Sequence, residues 1–232
     1  MVRRGLVASR NQARRLIKEG KVSVSGVKAP KPSTWVDPST ALLLGEGQVY
    51  VGRAGHKLEN ALARFGLQVE GRLALDVGSG AGGFTDCLLA HGAARVVAID
   101  VGHGQLDPRL LNHPRVECWE RLDVRSAASL LGRRFDLVVV DLSFISLCAV
   151  AASLADLAAP NADLLLLVKP QFEVGKERIG KGIVHNPSDR DQAVEAVKVC
   201  LAEVGVETSM VIEAVPAGAG GNQEFFLWAV GR

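Results

Sequence analysis

The sequence is poor in aromatic residues, at 5% with a single tyrosine, and has only four cysteines and two methionines in 232 residues. Cys87, Cys118, Cys148 and Cys200 lie far apart, and no pair has the spacing of a zinc site or a redox dithiol. Cysteine-built metal sites and nucleophilic-cysteine chemistry are excluded on spacing. All four are expected to be reduced thiols of a cytoplasmic protein. An apolar run long enough to span a bilayer is missing too, because the best candidate, 137–159, is broken by Asp141 and Asp156. Met1-Val2-Arg3-Arg4-Gly5 does not lead into the apolar core of a secretion signal. Neither a membrane partner nor a metal is expected. Acids are scarce at the front: residues 1–57 hold eleven Lys and Arg against Glu19, Asp37 and Glu46. Residues 58–232 carry 16 bases and 22 acids, so a basic module with a polyanionic partner precedes an ordinary enzyme-like body.

What is present fits that division. Ser9-Arg10-Asn11-Gln12 reads as a capping box opening a helix to about Glu19, with Gly20 to end it. Arg10, Arg14 and Lys18 recur every four residues as a basic stripe, and Ala13, Leu16 and Ile17 supply the apolar face. Val22-Ser23-Val24 alternates like a short strand, Ser25-Gly26 is a turn, Pro30, Pro32 and Pro38 punctuate, and a second strand is expected over 48–51. This gives a small α+β module, 1–51, then a linker and first helix, 52–70. From 71 to 232 strands and helices alternate. Strands are expected at 72–77, 94–99, 115–119, 135–142, 163–168, 206–214 and 224–230, with helices at about 83–91 and 188–204. Near-continuous apolar strands between helices imply an α/β, Rossmann-like parallel sheet covered on both faces.

The first of these strands runs into Asp76-Val77-Gly78-Ser79-Gly80-Ala81-Gly82-Gly83 and then a helix. Glycines there let the backbone turn sharply and approach a ligand. Asp100-Val101 ends the second strand, where a carboxylate binds ribose hydroxyls, and Asp123 follows the third. Three acids at successive strand ends line one crevice, although each could also be a strand-end cap. The loop lacks the pyrophosphate pattern of a dinucleotide site and resembles motif I of class I methyltransferases. That resemblance implies S-adenosylmethionine as cofactor, held by Asp76, Gly78, Ser79, Gly80, Gly82, Asp100, Val101 and, at its adenine, Asp123.

The fourth strand ends in Asp141 and the fifth in Lys169, both at the carboxyl edge of the sheet. A lysine closing the run Leu164 to Val168 would be costly without a role or partner, and Asp141 is the obvious partner. With Lys57 in Gly55-His56-Lys57-Leu58 and Glu224 in Asn222-Gln223-Glu224-Phe225, the order Lys, Asp, Lys, Glu resembles the FtsJ-type ribose 2′-O-methyltransferases. The front unit resembles an S4 RNA-binding domain. S4 domains usually open with an Arg-Leu-Asp helix that is missing here, so a shortened module is expected. Gly52-Arg53-Ala54-Gly55-His56-Lys57-Leu58, Asp141-Leu142-Ser143-Phe144-Ile145-Ser146 and Val168-Lys169-Pro170-Gln171-Phe172-Glu173-Val174-Gly175 are similar to the TlyA, or hemolysin A-like, family. The resemblance covers nearly the whole chain. It implies a cytidine 2′-O-methyltransferase of 16S and 23S rRNA, with Lys57, Asp141, Lys169 and Glu224 catalytic, Lys169 as general base and Asp141 orienting it.

Arg3, Arg4, Arg10, Arg14, Lys18 and Lys21 can neutralise phosphates, so rRNA or ribosomal subunits are the expected partners, bound with strong salt dependence. Aromatics are few there, which favours recognition of RNA shape over base stacking. Arg53 and His56 lie between the two parts and could touch the target nucleotide. Residues 175–186, with Lys176, Arg178 and Lys181, read as a mobile basic loop or a plain connection. A non-catalytic RNA-binding factor, a small-molecule or protein methyltransferase and a membrane-active hemolysin are the rival readings. The intact glycine loop opposes the first, the basic module the second, and the want of membrane segments the third.

Overall fold

The computed structural model describes residues 1–7, 9–18, 21–24, 27–28, 31–33, 36, 42–44, 50–218 and 221–231. Two compact units meet between Val49 and Tyr50 in the chain.

In the first unit a 3-10 turn, Val2–Arg4, precedes helix α1, Arg10–Lys18. Ser9 starts the helix: its Oγ accepts the backbone N–H of Gln12 at 3.1 Å, satisfying one of the amides a helix start leaves unpaired. Leu16 is buried with Val7 and Val22, while Met1, Ala13 and Ile17 pack around them. Strands β1 (Val22–Val24), β2 (Val27–Lys28) and β3 (Leu42–Leu44) form an antiparallel sheet in the order β2-β1-β3. The strand expected over 48–51 is corrected in part: Gln48 and Val49 lie outside the described residues, and Tyr50 and Val51 belong to no strand. The β-forming Tyr50 is instead buried in the second unit, its hydroxyl donating to Glu59 Oε1 at 3.0 Å. The partner of β1 is the leucine run of β3, whose unbroken apolar pattern hid it. The expected stop at Gly20, the Ser25-Gly26 turn and the prolines at 30 and 38 lie outside the described residues.

The second unit opens with α2, Arg53–Phe65, closed by Gly66 in the left-handed region. There follow β4 (Leu73–Val77), α3 (Gly83–Ala90), β5 (Arg95–Asp100), α4 (Pro108–Leu111), β6 (Val116–Glu120), α5 (Val124–Leu131) and β7 (Phe135–Val140). A 3-10 turn at Leu147–Val150 leads to α6 (Ala151–Leu157), β8 (Ala158–Val168) and α7 (Pro170–Glu173). The chain continues with a 3-10 turn at Lys176–Arg178, α8 (Pro187–Glu203), β9 (Val206–Glu213) and β10 (Phe225–Gly231). The seven strands lie in the order β6-β5-β4-β7-β8-β10-β9. Six run in one direction and β10 alone runs against them, antiparallel to both β8 and β9, which corrects the all-parallel expectation. Among its described residues the connection 214–224 carries no crossover helix, and a link this short returns a strand antiparallel beside its predecessor.

Side chains alternate between two cores. Leu75, Val77, Val138, Val140, Leu164 and Leu166 pack against α5, α6 and α8 on one face. Ala74, Leu137, Val139, Leu165 and Leu167 pack against α2 and α3, with Leu58, Leu62, Phe84 and Leu88, on the other. Burying each large side chain contributes roughly 1.5–3 kcal/mol. The two faces hold the strands in one plane, so their ends form a fixed edge.

A second correction concerns the thiols. Cys148, in the 3-10 turn after β7, and Cys200, on α8, form a disulfide with Cα atoms 5.3 Å apart, and only Cys87 and Cys118 are free. The partners are 52 residues apart, so spacing carried no signal. They meet because that turn and α8 pack on the same face of the sheet.

Candidate active site

The loops that matter leave the carboxyl ends of β4, β5, β7 and β8, the edge where open α/β sheets bind ligands. Because β10 is antiparallel, its start faces the same edge. Phe225 pairs with Val168, so Glu224 and Lys169 each lie one residue beyond a shared rung.

After β4 the chain turns through Gly78, at φ 82°, where a Cβ would stand 2.6 Å from the carbonyl oxygen of Asp141. Gly82, at φ 95°, would set a Cβ 2.3 Å from Leu110. Both positions demand glycine for conformation and for space. Gly78 and Ser79 donate their amides to the Ile99 carbonyl at 2.9 and 3.1 Å, and the Ser79 carbonyl receives Gly82 at 2.7 Å. Asp100 accepts the amides of Gly80 at 2.8 Å and Gly102 at 2.7 Å, which joins the glycine loop to the end of β5. Val101 beside it is 69% exposed, an unusual place for an apolar side chain. Asp123 caps α5 and is gripped by its neighbour: it accepts from the Arg125 amide and Nε, each at 2.9 Å, and from Nη2 at 2.5 Å. Arg125 holds its pKa down at about 2.

Asp76 is fully buried at the end of β4. Thr85 Oγ1 donates to its Oδ2 at 2.6 Å, while Oδ1 has no partner among the described residues. Burial pushes its pKa up to about 7 against the Thr85 hydrogen bond, and the charges of Asp141 and Asp100 push the same way. An oxygen of this kind is a receptor for a cationic group. The folded chain without a ligand therefore keeps a proton that the unfolded chain releases near 3.8. Its stability is expected to fall as pH rises from about 4 to about 7 and to level off above. Asp76→Asn should flatten that part of the curve, with the variant melting above the wild type at about pH 8. Thermal unfolding across this range checks it, and parallel curves for the two proteins would mean that Asp76 stays charged.

The remaining polar groups form two ion pairs. Lys169 Nζ lies 2.6 Å from Asp141 Oδ1 and donates to Ser143 Oγ at 2.8 Å. Lys57, on α2, pairs with Glu224, both buried. The structure thus joins Lys169 to Asp141 and Lys57 to Glu224. It also presents a group the sequence reading passed over: Phe144, 90% exposed and at φ 67°, with its ring centroid 5.1 Å from that of Phe172. A non-glycine residue in that conformation, holding an aromatic ring in solvent directly after Ser143, is a strained feature of the kind found at ligand sites. Nothing in the spacing of Leu142-Ser143-Phe144 signals it. Residues 175–186 are tied down: Gly180 bridges Ile183, and Asn222 accepts the Val184 amide at 3.2 Å and donates to the Gly182 carbonyl at 2.8 Å.

Of the RNA-binding candidates, Arg3, Arg4, Arg10, Arg14 and Lys18 are exposed and Lys21 is half-buried. Arg14 and Lys18 line a cleft of about 390 Å³ with Lys31, Pro32 and Ser33, and Lys31 is an addition to the sequence reading. Arg53 is exposed, while His56 packs edge-on against Tyr50 with centroids 5.0 Å apart and contacts Glu59. No His, Cys, Asp and Glu cluster among the described residues is arranged for a metal, and none of their helices is long and apolar enough to cross a membrane.

Residues 50–230 match the family model of FtsJ-like methyltransferases, and residues 1–42 that of the S4 domain. The chain is 47% identical over 232 residues to the 16S/23S rRNA (cytidine-2'-O)-methyltransferase TlyA of Mycobacterium tuberculosis, spanning 98% of this chain and 87% of that protein. It is 34% identical to Hemolysin A of Brachyspira hyodysenteriae, over 95% of this chain and 93% of that one. Among solved structures, a hemolysin candidate from Streptococcus thermophilus aligns with a TM-score of 0.78 and 36% identity, over 97% of this chain and 84% of that one.

Proposed function

The chain belongs to the FtsJ-like methyltransferases and carries an S4 domain in front, and from this we propose that it methylates a ribose 2′-hydroxyl of ribosomal RNA at the expense of S-adenosylmethionine. The observation that carries the reading is the pair of lysine–carboxylate contacts, Lys169–Asp141 and Lys57–Glu224, on the edge that also holds the glycine loop. Cytidine in 16S or 23S rRNA, the substrate named for the mycobacterial relative, is the target taken here.

The residues fit the cofactor. Asp76 offers its unpartnered oxygen to the ammonium of the methionine part, and Gly78 and Gly82 leave the backbone bare for close approach. Asp100 stands where ribose hydroxyls are bound, and exposed Val101 can cover one face of the adenine. Asp123 serves the adenine only by sharing or releasing Arg125. When bound, S-adenosylmethionine supplies a methyl group activated on a sulfonium. Lys169, held between Asp141 and Ser143, first releases its ion-pair proton to solvent and then, as the neutral amine, takes the proton of the 2′-hydroxyl at Nζ. Lys57, fixed by Glu224, holds the hydroxyl oxygen in line. Phe144 offers a face to the target base, which leaves its stack to reach the edge. The S4 domain grips phosphates through Arg3, Arg4, Arg10, Arg14, Lys18, Lys21 and Lys31.

The test is transfer of labelled methyl from S-adenosylmethionine to bacterial rRNA or ribosomal subunits. Label on a ribose 2′-oxygen is the expected result. Tight RNA and cofactor binding without transfer to any subunit would replace the reading with that of a non-catalytic RNA-binding factor.

A further inference from the structure

Asp141 and Lys169 sit on different loops, one leaving β7 and one leaving β8, and the pair works only if the two loops keep one relative position. At its upstream end the first loop is pinned by the Asp141 amide, which donates to the Val77 carbonyl at 2.9 Å. Its downstream end is held from the other loop. Glu173 Oε2 accepts from Ser146 Oγ at 2.6 Å, and Oε1 accepts the Leu147 amide at 3.0 Å. Ser146 itself caps the following 3-10 turn by accepting the Cys148 amide at 3.1 Å. Glu173 closes α7, the short helix that begins directly after Lys169, with Lys169 as its N-cap and Pro170 in its first turn. One rigid turn therefore separates the lysine from the carboxylate.

Both oxygens of Glu173 are used on the opposite loop, and the side chain is half-buried. Burial raises its pKa while the two hydrogen bonds lower it. A desolvated carboxylate is costly, and its contacts here are to loop groups, not to the crevice. Between the two pins lie residues 142–145, including Phe144 in the left-handed region. Such a conformation persists only when the surroundings over-determine it, and the downstream pin is what Glu173 provides.

We propose that Glu173 is a positioning residue for the transfer reaction: it clamps the β7 loop to α7, so that Ser143 stays against Lys169, Phe144 stays against Phe172 and the Asp141–Lys169 pair keeps its orientation. The inference rests on the methyl-transfer reading above. It assigns Glu173 no contact with substrate or cofactor.

The experiment compares wild type, Glu173→Ala, Glu173→Gln and Ser146→Ala in single-turnover and steady-state methyl transfer to rRNA, with cofactor affinity measured by calorimetry. Glu173→Ala is expected to lower kcat at least tenfold, roughly the scale of a misplaced reacting group, with cofactor affinity and the KM for RNA within about threefold of wild type. Glu173→Gln keeps an acceptor for the Leu147 amide and should recover most of the rate. The Ser146→Ala/Glu173→Ala double variant should be no slower than Glu173→Ala, because both remove one clamp. If Glu173→Ala fails to fold, Glu173→Gln and Ser146→Ala carry the comparison, with Ser146→Ala expected to be the slower. A wild-type kcat in Glu173→Ala overturns the inference. So does a loss equal in Glu173→Gln and Glu173→Ala, or a loss lying in cofactor affinity or KM. A wild type that itself transfers no methyl group overturns the methyl-transfer reading, and the inference with it.

Discussion

Lys169→Ala is expected to lower the single-turnover rate of methyl transfer by about 10²- to 10⁴-fold, the range for loss of a positioned acid or base, with cofactor affinity little changed. The amine lies at the end of β8, 2.6 Å from Asp141 and 2.8 Å from Ser143. It is thus oriented by two partners on the neighbouring loop, while the groups assigned to the cofactor sit at the ends of β4 and β5 and in the loops that follow β4, β5 and β6. Lys169→Arg separates two roles that Ala cannot. A guanidinium keeps the charge but does not give up its proton near neutral pH. If the amine accepts the hydroxyl proton, Arg should be as slow as Ala. A variant with Arg that retains most of the rate would show that Lys169 acts as a fixed charge, and another group would have to take the proton.

The second large effect is on stability. Lys57 and Glu224 form an ion pair with 10% and 4% of their side chains exposed. Removing one partner strands a charge in a desolvated place, so Lys57→Met is expected to cost about 3–5 kcal/mol. Exchanging both, as Lys57→Met/Glu224→Leu, should restore most of that, because two apolar groups leave no charge unpaired. Urea unfolding of the wild type and the two variants measures it. A cost below about 1 kcal/mol for Lys57→Met, the scale of a solvated surface pair, would mean that water reaches Glu224. The doubly exchanged protein should fold and yet be inactive, which separates the pair's part in the reaction from its part in the fold.

What could be read from the residues followed the physics of each signal. Leu164 to Val168 and Val138 to Val140 are unbroken apolar runs ending in a charged residue, and strands covered on both faces have that form. The glycine loop announced itself because Gly78 and Gly82 stand where no Cβ fits. The direction of β10 was not visible, because its apolar pattern is the same whichever way it runs. Lys57 and Glu224 were visible through resemblance alone: they are 167 residues apart, and their pairing depends on that direction. The Cys148–Cys200 link was hidden for a similar reason, since the turn after β7 and α8 come together only in the folded unit. Phe144 carries no mark of exposure in its neighbours, because Leu142-Ser143-Phe144-Ile145-Ser146 mixes apolar and small polar residues as a half-buried segment does. Glu173 looks in the sequence like any helix-end acid, and its two acceptors acquire meaning only once the Ser146 hydroxyl and the Leu147 amide are opposite them.

The antiparallel β10 has a consequence for when the protein becomes competent. It follows β9 in the chain, yet it lies inside the sheet between β8 and β9 and carries Glu224 to the working edge. Until β10 is in place, Lys57 has no counter-charge and the quartet is incomplete.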